Sequence, residues 1–144
     1  MELITEIFNK YNFERLNKNS LINIGEIEAS IKFRLPDDYR YYLENYLGFE
    51  GFIGEEFVRL WDVDEILDIN KNYGVIENLP NTIAIGSNGA SEFVAIELIN
   101  NGNFRVVLSS FIDLDINSHV EVGESFKDFL IRLDYGKAWF KNIN

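Results

Sequence analysis

The stretch Leu35-Pro36-Asp37-Asp38-Tyr39-Arg40-Tyr41-Tyr42-Leu43-Glu44-Asn45-Tyr46-Leu47-Gly48 carries the signals of one whole helix. Pro36 suits the first helical position, where its missing N–H costs nothing, and Asp37 and Asp38 fall where the helix dipole favours carboxylates. Tyr39, Tyr42, Leu43, Tyr46 and Leu47 recur at helical spacing and form one apolar stripe. Gly48 is expected to supply the left-handed stop. So wide an aromatic face has to lie on a core.

Upstream, Leu3, Ile4, Ile7, Phe8 and Tyr11 predict a short amphipathic helix, followed by a polar connector through Asn17, Asn19 and Ser20. A second helix begins after Asn23, a capping residue with Glu26 three positions on, and turns Ile24, Ile27 and Ile31 to one side. Downstream, Phe49 to Glu56 is glycine-spaced and acidic and reads as a loop or loose hairpin before a strand from Phe57 to Trp61. Asp62 and Glu65 then form a capping box for a helix carrying Val63, Ile66, Leu67, Asn70 and Tyr73, stopped by Gly74.

Beyond Pro80 the period changes from helical to alternating. Ile83-Ala84-Ile85 leads into an expected turn at Gly86-Ser87-Asn88-Gly89, and strands from Glu92 to Leu98 and from Phe104 to Ser109 meet across Asn101-Gly102. Val94, Ile96 and Leu98 point one way and Phe93 and Ala95 the other, so both sheet faces need cover. Ser125 caps a last helix bearing Phe126, Phe129, Leu130 and Leu133, which Asp134-Tyr135-Gly136 ends. Trp139 and Phe140 fall on a tail that docks or stays mobile. Helices, then mainly strands, then a closing helix make an α+β domain: an antiparallel sheet of about four to six strands packed with several helices.

At 144 residues the chain suffices for one domain, burying roughly 70% of its extended surface. That domain spans 1–144, with 1–22 as N-terminal helix and connector, 23–133 as core and 134–144 as tail. Hydrophobic residues at 47% and aromatics at 15% supply a packed interior. The absence of cysteine excludes disulfides, thiolate metal sites and a cysteine nucleophile, and suits a reducing compartment. The acidic N-terminus lacks the basic flank and apolar run of a secretion signal, and no stretch approaches the roughly 20 apolar residues that cross a bilayer. The expected location is the cytoplasm. With 13 Lys and Arg against 24 Asp and Glu, the formal charge is -11. Such a surface repels nucleic acid and anionic membranes and speeds encounter with basic partners.

The order of these signals resembles the SUKH superfamily, the Smi/Knr-type domains related to cell-wall-assembly regulators. The resemblance runs from about Ile24 to Leu130. It rests on Glu28 before Leu35-Pro36, Asp37-Asp38-Tyr39, Leu60-Trp61, Ile83 to Gly89, Glu92, and Ser125-Phe126 with Phe129-Leu130. Lys32, Asn88, Ala90 and Glu97 stand where relatives more often have glycine, aspartate, glycine and aspartate. The resemblance implies a cytoplasmic, non-enzymatic immunity protein that binds and neutralises a bacterial toxin domain, commonly a nuclease or deaminase. It implies no cofactor and no catalytic set, and it equally admits a regulatory protein-interaction scaffold.

Other chemistry is thinly supported. Asp113, Asp115, Asn117, Glu121 and Glu124 have the oxygen-ligand spacing of a calcium loop, but Ser118 replaces the glycine of its sharp turn and a strand precedes it. A solvated connection, rather than a calcium-responsive module, is expected there. Asp37 with Asp38, and Asp62 with Asp64 and Glu65, could be drawn as the carboxylate pair of a small acidic hydrolase, yet helix capping accounts for both groups. His119, the single histidine, reads as a surface residue. Gly86 to Gly89 lacks the lysine of a phosphate-binding loop. Among Phe49, Phe52, Phe57 and Trp61 most are expected in the core, and any that is exposed beside Glu50, Glu55 and Glu56 makes an aromatic anchor with an acidic rim. The candidate partner-binding residues are therefore Glu50, Phe52, Glu55 and Glu56, with Asp113, Asp115 and Glu121 on the second acidic segment.

Overall fold

The computed structural model describes residues 2–17, 23–100, 102–137 and 139. The expected connector residues Asn19 and Ser20, turn residue Asn101 and tail residue Phe140 lie outside the described residues. Helices α1 (Glu2–Lys10), α2 (Ile24–Ile31) and α3 (Asp37–Asn45) precede the hairpin β1 (Phe49–Ile53) and β2 (Glu56–Leu60). Helices α4 (Ile66–Asn72) and α5 (Val75–Asn78) lead to β3 (Thr82–Ser87), β4 (Glu92–Asn100) and β5 (Asn103–Ser110). A 3₁₀ turn (Ile116–Ser118), β6 (Val120–Gly123) and α6 (Phe126–Asp134) close the chain. The six strands pair in sequence order, all antiparallel, in one α+β domain.

Helix α3 is the hub. Tyr39, Tyr42 and Leu43 are buried along it, and Tyr46 just beyond it, so the stripe read from sequence is the core face. Tyr42 lies 6.1 Å from the Phe8 ring of α1 and 5.5 Å from the Phe126 ring of α6. Its hydroxyl donates to the Trp61 carbonyl at 2.9 Å. Burial pushes the Tyr39 and Tyr42 phenols well above their ordinary range, which keeps both neutral. Asp38 accepts from the Tyr39 N–H at 2.8 Å and, with its other oxygen, from the Lys127 N–H at 2.9 Å. One carboxylate thus serves the starts of both α3 and α6.

The helix ends differ from expectation at α3 and α4. Pro36 is the extended N-cap rather than the first helical residue, with ψ at 149°. Helix α3 stops at Asn45 because Tyr46 turns extended and bridges to Arg15. Gly48 keeps a positive φ of 97° but serves the link to β1, where an added Cβ would sit 2.8 Å from the Leu60 carbonyl oxygen. Helix α4 begins at Ile66 with Glu65 as its N-cap, so Val63 lies in the turn before it, while the other caps are as read: Asn23 accepts from Glu26 N–H at 2.9 Å, and Ser125 from Asp128 N–H at 3.0 Å. Asp62 and Glu65 form the reciprocal box, each accepting from the other's backbone N–H. Glu28 accepts from Leu35 N–H at 2.7 Å and fastens the turn into α3. Lys32 closes α2 in the left-handed region at φ 68°, a conformation that favours glycine.

The glycine-spaced segment after α3 is a regular strand, β1, because each of its residues finds a partner on β2. Gly86 and Ser87 belong to β3 instead of a turn. Strand β3 approaches β2 so closely that a Cβ on Gly86 would lie 2.1 Å from the Arg59 carbonyl oxygen. Strand β6 forms where only a connection was expected, pairing Val120 with Leu108 and Glu121 with Val107. Val58, Leu60, Ile83, Val94, Ile96 and Val106 face the core under α1, α2, α3 and α6. Trp61, Ala84, Phe93, Ala95 and Val107 form a smaller core on the opposite face under α5, with Phe111 and Leu114 packed against it. Helix α4 straddles the two, Ile66 in the first and Ile69 against the second, while Asn70 exchanges hydrogen bonds with the backbone of Ala84.

The N-terminal helix is tied to α6 by a polar cluster. Asp134 accepts from Lys10 at 2.8 Å and from the Tyr11 hydroxyl at 2.5 Å, and the Tyr11 oxygen accepts from Gly54 N–H. Trp139 docks nearby, 5.8 Å from the Phe129 ring.

These contacts predict stability. Tyr42→Phe should cost about 1–2 kcal/mol, since it orphans a buried carbonyl, whereas Tyr39→Phe, whose hydroxyl has no partner among the described residues, should be neutral or stabilising. Urea unfolding compares the two. Lys32→Gly should stabilise by about 0.5–1 kcal/mol by relieving the left-handed lysine. The Asp134 carboxyl is held below the ordinary aspartate range, first by Lys10 and then by Tyr11. Its folded value lies under its unfolded one, so its contribution is complete above about pH 4 and lost as pH falls through the folded value. Asp134→Asn should therefore lower the melting temperature near neutral pH, with the gap to the natural protein closing in acid.

Candidate functional site

Val58 and Leu60 of β2 point into the main core, so Phe57 and Arg59 turn to the other face, and the register sets Phe52 and Glu50 of β1 opposite them. On that face α5 and the chain from Phe111 to Leu114 cover the central strands. The β1–β2 end is left open and forms a cleft of about 830 Å³. Trp61, 7% exposed, lines its base, together with the neighbouring Tyr73 and Phe111 and with Tyr11, Asn12 and Glu14 of the N-terminal segment. The Tyr73 and Phe111 rings pack at 4.9 Å, and Tyr73 is left 53% exposed, off the buried stripe that its spacing predicted.

The charge in the cleft is one-sided. Among the described residues, Glu14, Glu50 and Glu65 line it against a single cation, Arg59, which is already engaged by Glu50. Glu65 contributes one oxygen to the capping box. Glu14 is exposed, and its carboxylate has no hydrogen bond or ion pair among the described residues.

Of the residues singled out from sequence, Glu50 lines this cleft and Phe52 stands two positions along the same strand face, 64% exposed, with its ring 5.7 Å from Phe57. Glu55 is exposed in the hairpin turn, and Glu56 pairs with Ile53 and so faces the helix side. Asp113 and Asp115 follow Phe111 in the β5–β6 connection, beside the strongly exposed Ile112. Glu121 sits on β6, the opposite edge of the sheet from β1. Glu121 is therefore separated from the first acidic segment by the width of the sheet, whereas Asp113 and Asp115 follow Phe111, which lines the cleft with Glu50.

The calcium-like spacing does not close into a cage. Asp115 caps the 3₁₀ turn by accepting from Asn117 N–H at 3.0 Å, and Glu121 is held in a strand. Among the described residues, no group of three or more His, Cys, Asp or Glu side chains converges on a metal position. His119 is a correction: its side chain is fully buried rather than on the surface. The cause is Glu97, 4% exposed on the inner side of β4, which accepts from Arg105 Nε and from His119 Nδ1, each at 2.7 Å. A carboxylate inside a sheet face needs such donors. The two acidic groups considered for hydrolysis are occupied as helix starts: Asp38 and Asp62 accept backbone N–H groups, while Asp37 is exposed and pairs loosely with Arg34. Glu92 is likewise structural, its carboxyl held below the ordinary range by Ser91 and Asn88 across the β3–β4 turn.

Sequence reasoning missed Glu14, Tyr73 and Phe111 as neighbours of Glu50. They come from separate segments, and only the fold brings them together. No curated protein matches the chain. Residues 18–132 match a family that takes in α2 through most of α6, including the cap at Asp62, the strand pair β3–β4 and the tyrosine helix. The chain belongs to the SMI1 / KNR4 family (SUKH-1).

Proposed function

We propose that the protein is a non-enzymatic binding protein that captures and neutralises a toxin domain with a basic surface, of the nuclease or deaminase kind, in the bacterial cytoplasm. The observation that carries this reading is the open cleft with aromatic base and unbalanced carboxylates, on a chain of net charge -11. Members of the family are in general binding domains, and toxins are among their partners. The reading also fits the disposition of the acids. Those that hold the fold together are engaged by backbone N–H groups or by side-chain donors, and the excess of acids over bases sets a negative field that steers a basic partner into place.

An enzyme acting by general acid–base chemistry needs two carboxyls in contrasting environments around one substrate position. The cleft instead offers carboxylates on opposite sides, one capping a helix and one paired with Arg59. That arrangement suits recognition of cationic side chains.

Co-expression with the toxin encoded beside its gene should restore growth and yield a complex that survives purification. The association rate should fall roughly tenfold between low and physiological salt, as expected for steered encounter. Failure to capture or neutralise that toxin rejects the reading. Capture of an endogenous partner instead would make the protein a regulatory scaffold.

A further inference from the structure

We infer that the cleft at the β1–β2 end of the sheet is the docking surface, and that it receives a basic, arginine-bearing segment of a partner protein. The toxin reading enters only in naming whose segment it is. Three features lead to this occupant. Three carboxylates from separate segments line the cleft, Glu14 on the N-terminal segment, Glu50 on β1 and Glu65 just before α4, and with Glu50 paired to Arg59 a cation entering it meets the uncompensated charge of Glu14 and Glu65. Arg59, the single cation lining the cleft among the described residues, is neutralised by Glu50, so the described lining offers no free cation to a phosphate or an acidic peptide. Tyr73 offers an exposed ring packed at a tilt against Phe111, a surface on which a planar guanidinium stacks while it forks to a carboxylate.

The surface is also preorganised. The Trp61 backbone is fixed on both sides, its N–H donating to the Ile85 carbonyl at 3.0 Å and its carbonyl accepting from Tyr42. A partner that binds here pays little to order the base of the site. Phe52 on β1 and Ile112 beyond Phe111 are both largely exposed, and they give apolar contact to residues flanking the cation. At about 830 Å³ the cleft fits a few side chains, the hot-spot centre of an interface whose polar rim extends over the acidic surface.

The test uses the full chain with two probes, a short oligo-arginine peptide and the neighbouring toxin domain, read by amide and indole shifts in nuclear magnetic resonance spectra and by association kinetics. Glu14→Lys combined with Glu65→Gln removes charge from the cleft, and the glutamine keeps the capping acceptor. Glu6→Lys combined with Glu26→Gln makes the same change of net charge on exposed helix positions outside the cleft. Both probes should shift Trp61, Tyr73 and Phe111, and the cleft pair should weaken binding at least about tenfold while the control pair changes it less than about threefold. Tyr73→Ala, a substitution at an exposed ring, should weaken binding without loss of fold.

Equal effects of the two charge pairs, or shifts confined elsewhere, overturn the cleft assignment. Toxin capture with an undisturbed cleft leaves the toxin reading standing without this site. Oligo-arginine binding at the cleft without toxin capture keeps the site and removes the toxin reading. No binding of either probe removes both.

Discussion

The hydrogen bond from the Tyr42 hydroxyl to the Trp61 carbonyl, buried and 2.9 Å long, joins the two halves of the molecule. On one side is α3, whose tyrosines collect Phe8 from α1 and Phe126 from α6 into a single aromatic core. On the other is the end of β2, where Leu60 still faces that core and Trp61 already faces the smaller one behind the sheet. The Trp61 N–H continues the sheet to Ile85. With both backbone groups of one residue satisfied in the interior, the chain leaves β2 in a defined direction, and Asp62 and Glu65 turn it into α4. An unsatisfied carbonyl at that point would forfeit a sizeable part of a typical domain's 5–15 kcal/mol.

How far the fold was legible follows from where its information sits. Caps at Asn23 and Ser125, the tyrosine stripe and the alternation from Glu92 to Leu98 are local signals, and each acts in the structure as its sequence spacing implies; the Asp62–Glu65 box forms too, one turn ahead of α4, which begins at Ile66. The misreadings occurred where a distant partner overrides local preference. Gly86 reads as a turn former until β2 comes within contact of its Cα; Phe49 to Glu56 reads as a loop or loose hairpin, and only the pairing with β2 decides for a regular hairpin; β6 is short and polar and exists because β5 offers it an edge. His119 is the sharpest case. A lone histidine amid acids suggests solvent, and only Glu97 on another strand draws it inside. Glu97 itself carried a signal, since it shares a strand face with Phe93 and Ala95, and an acid on an apolar face requires donors.

The acidic composition divides into two populations with different physical roles. Asp38, Asp62, Asp128 and Glu28 accept backbone N–H groups and substitute for the missing hydrogen bonds of helix starts and turns. Glu97 is buried between Arg105 and His119. These acids act at short range and are insensitive to what the surface meets. Glu14, Glu55 and Glu121 are exposed, so their contribution to stability is small, and at moderate ionic strength their field extends only about 8–10 Å. A partner therefore feels the net charge as an accelerating field and distinguishes one acidic surface from another only on close approach.

That division explains how one scaffold can serve different partners. The residues that determine the fold are clustered in sequence and buried: the tyrosine helix, the capped start of α4 and the hydrophobic strand faces. The residues that line the cleft are scattered, from Glu14 before α3 to Phe111 after β5, and several of them, Glu14, Glu50 and Tyr73, project from elements whose inward side chains already supply the packing. Changing an exposed projecting residue alters stability by a few tenths of a kcal/mol, whereas truncating a buried tyrosine to alanine costs about 3–5 kcal/mol. Recognition on such a framework can be rewritten one side chain at a time without passing through an unfolded intermediate sequence, while the Tyr42–Trp61 junction, which fixes the base of the cleft, has no comparable freedom.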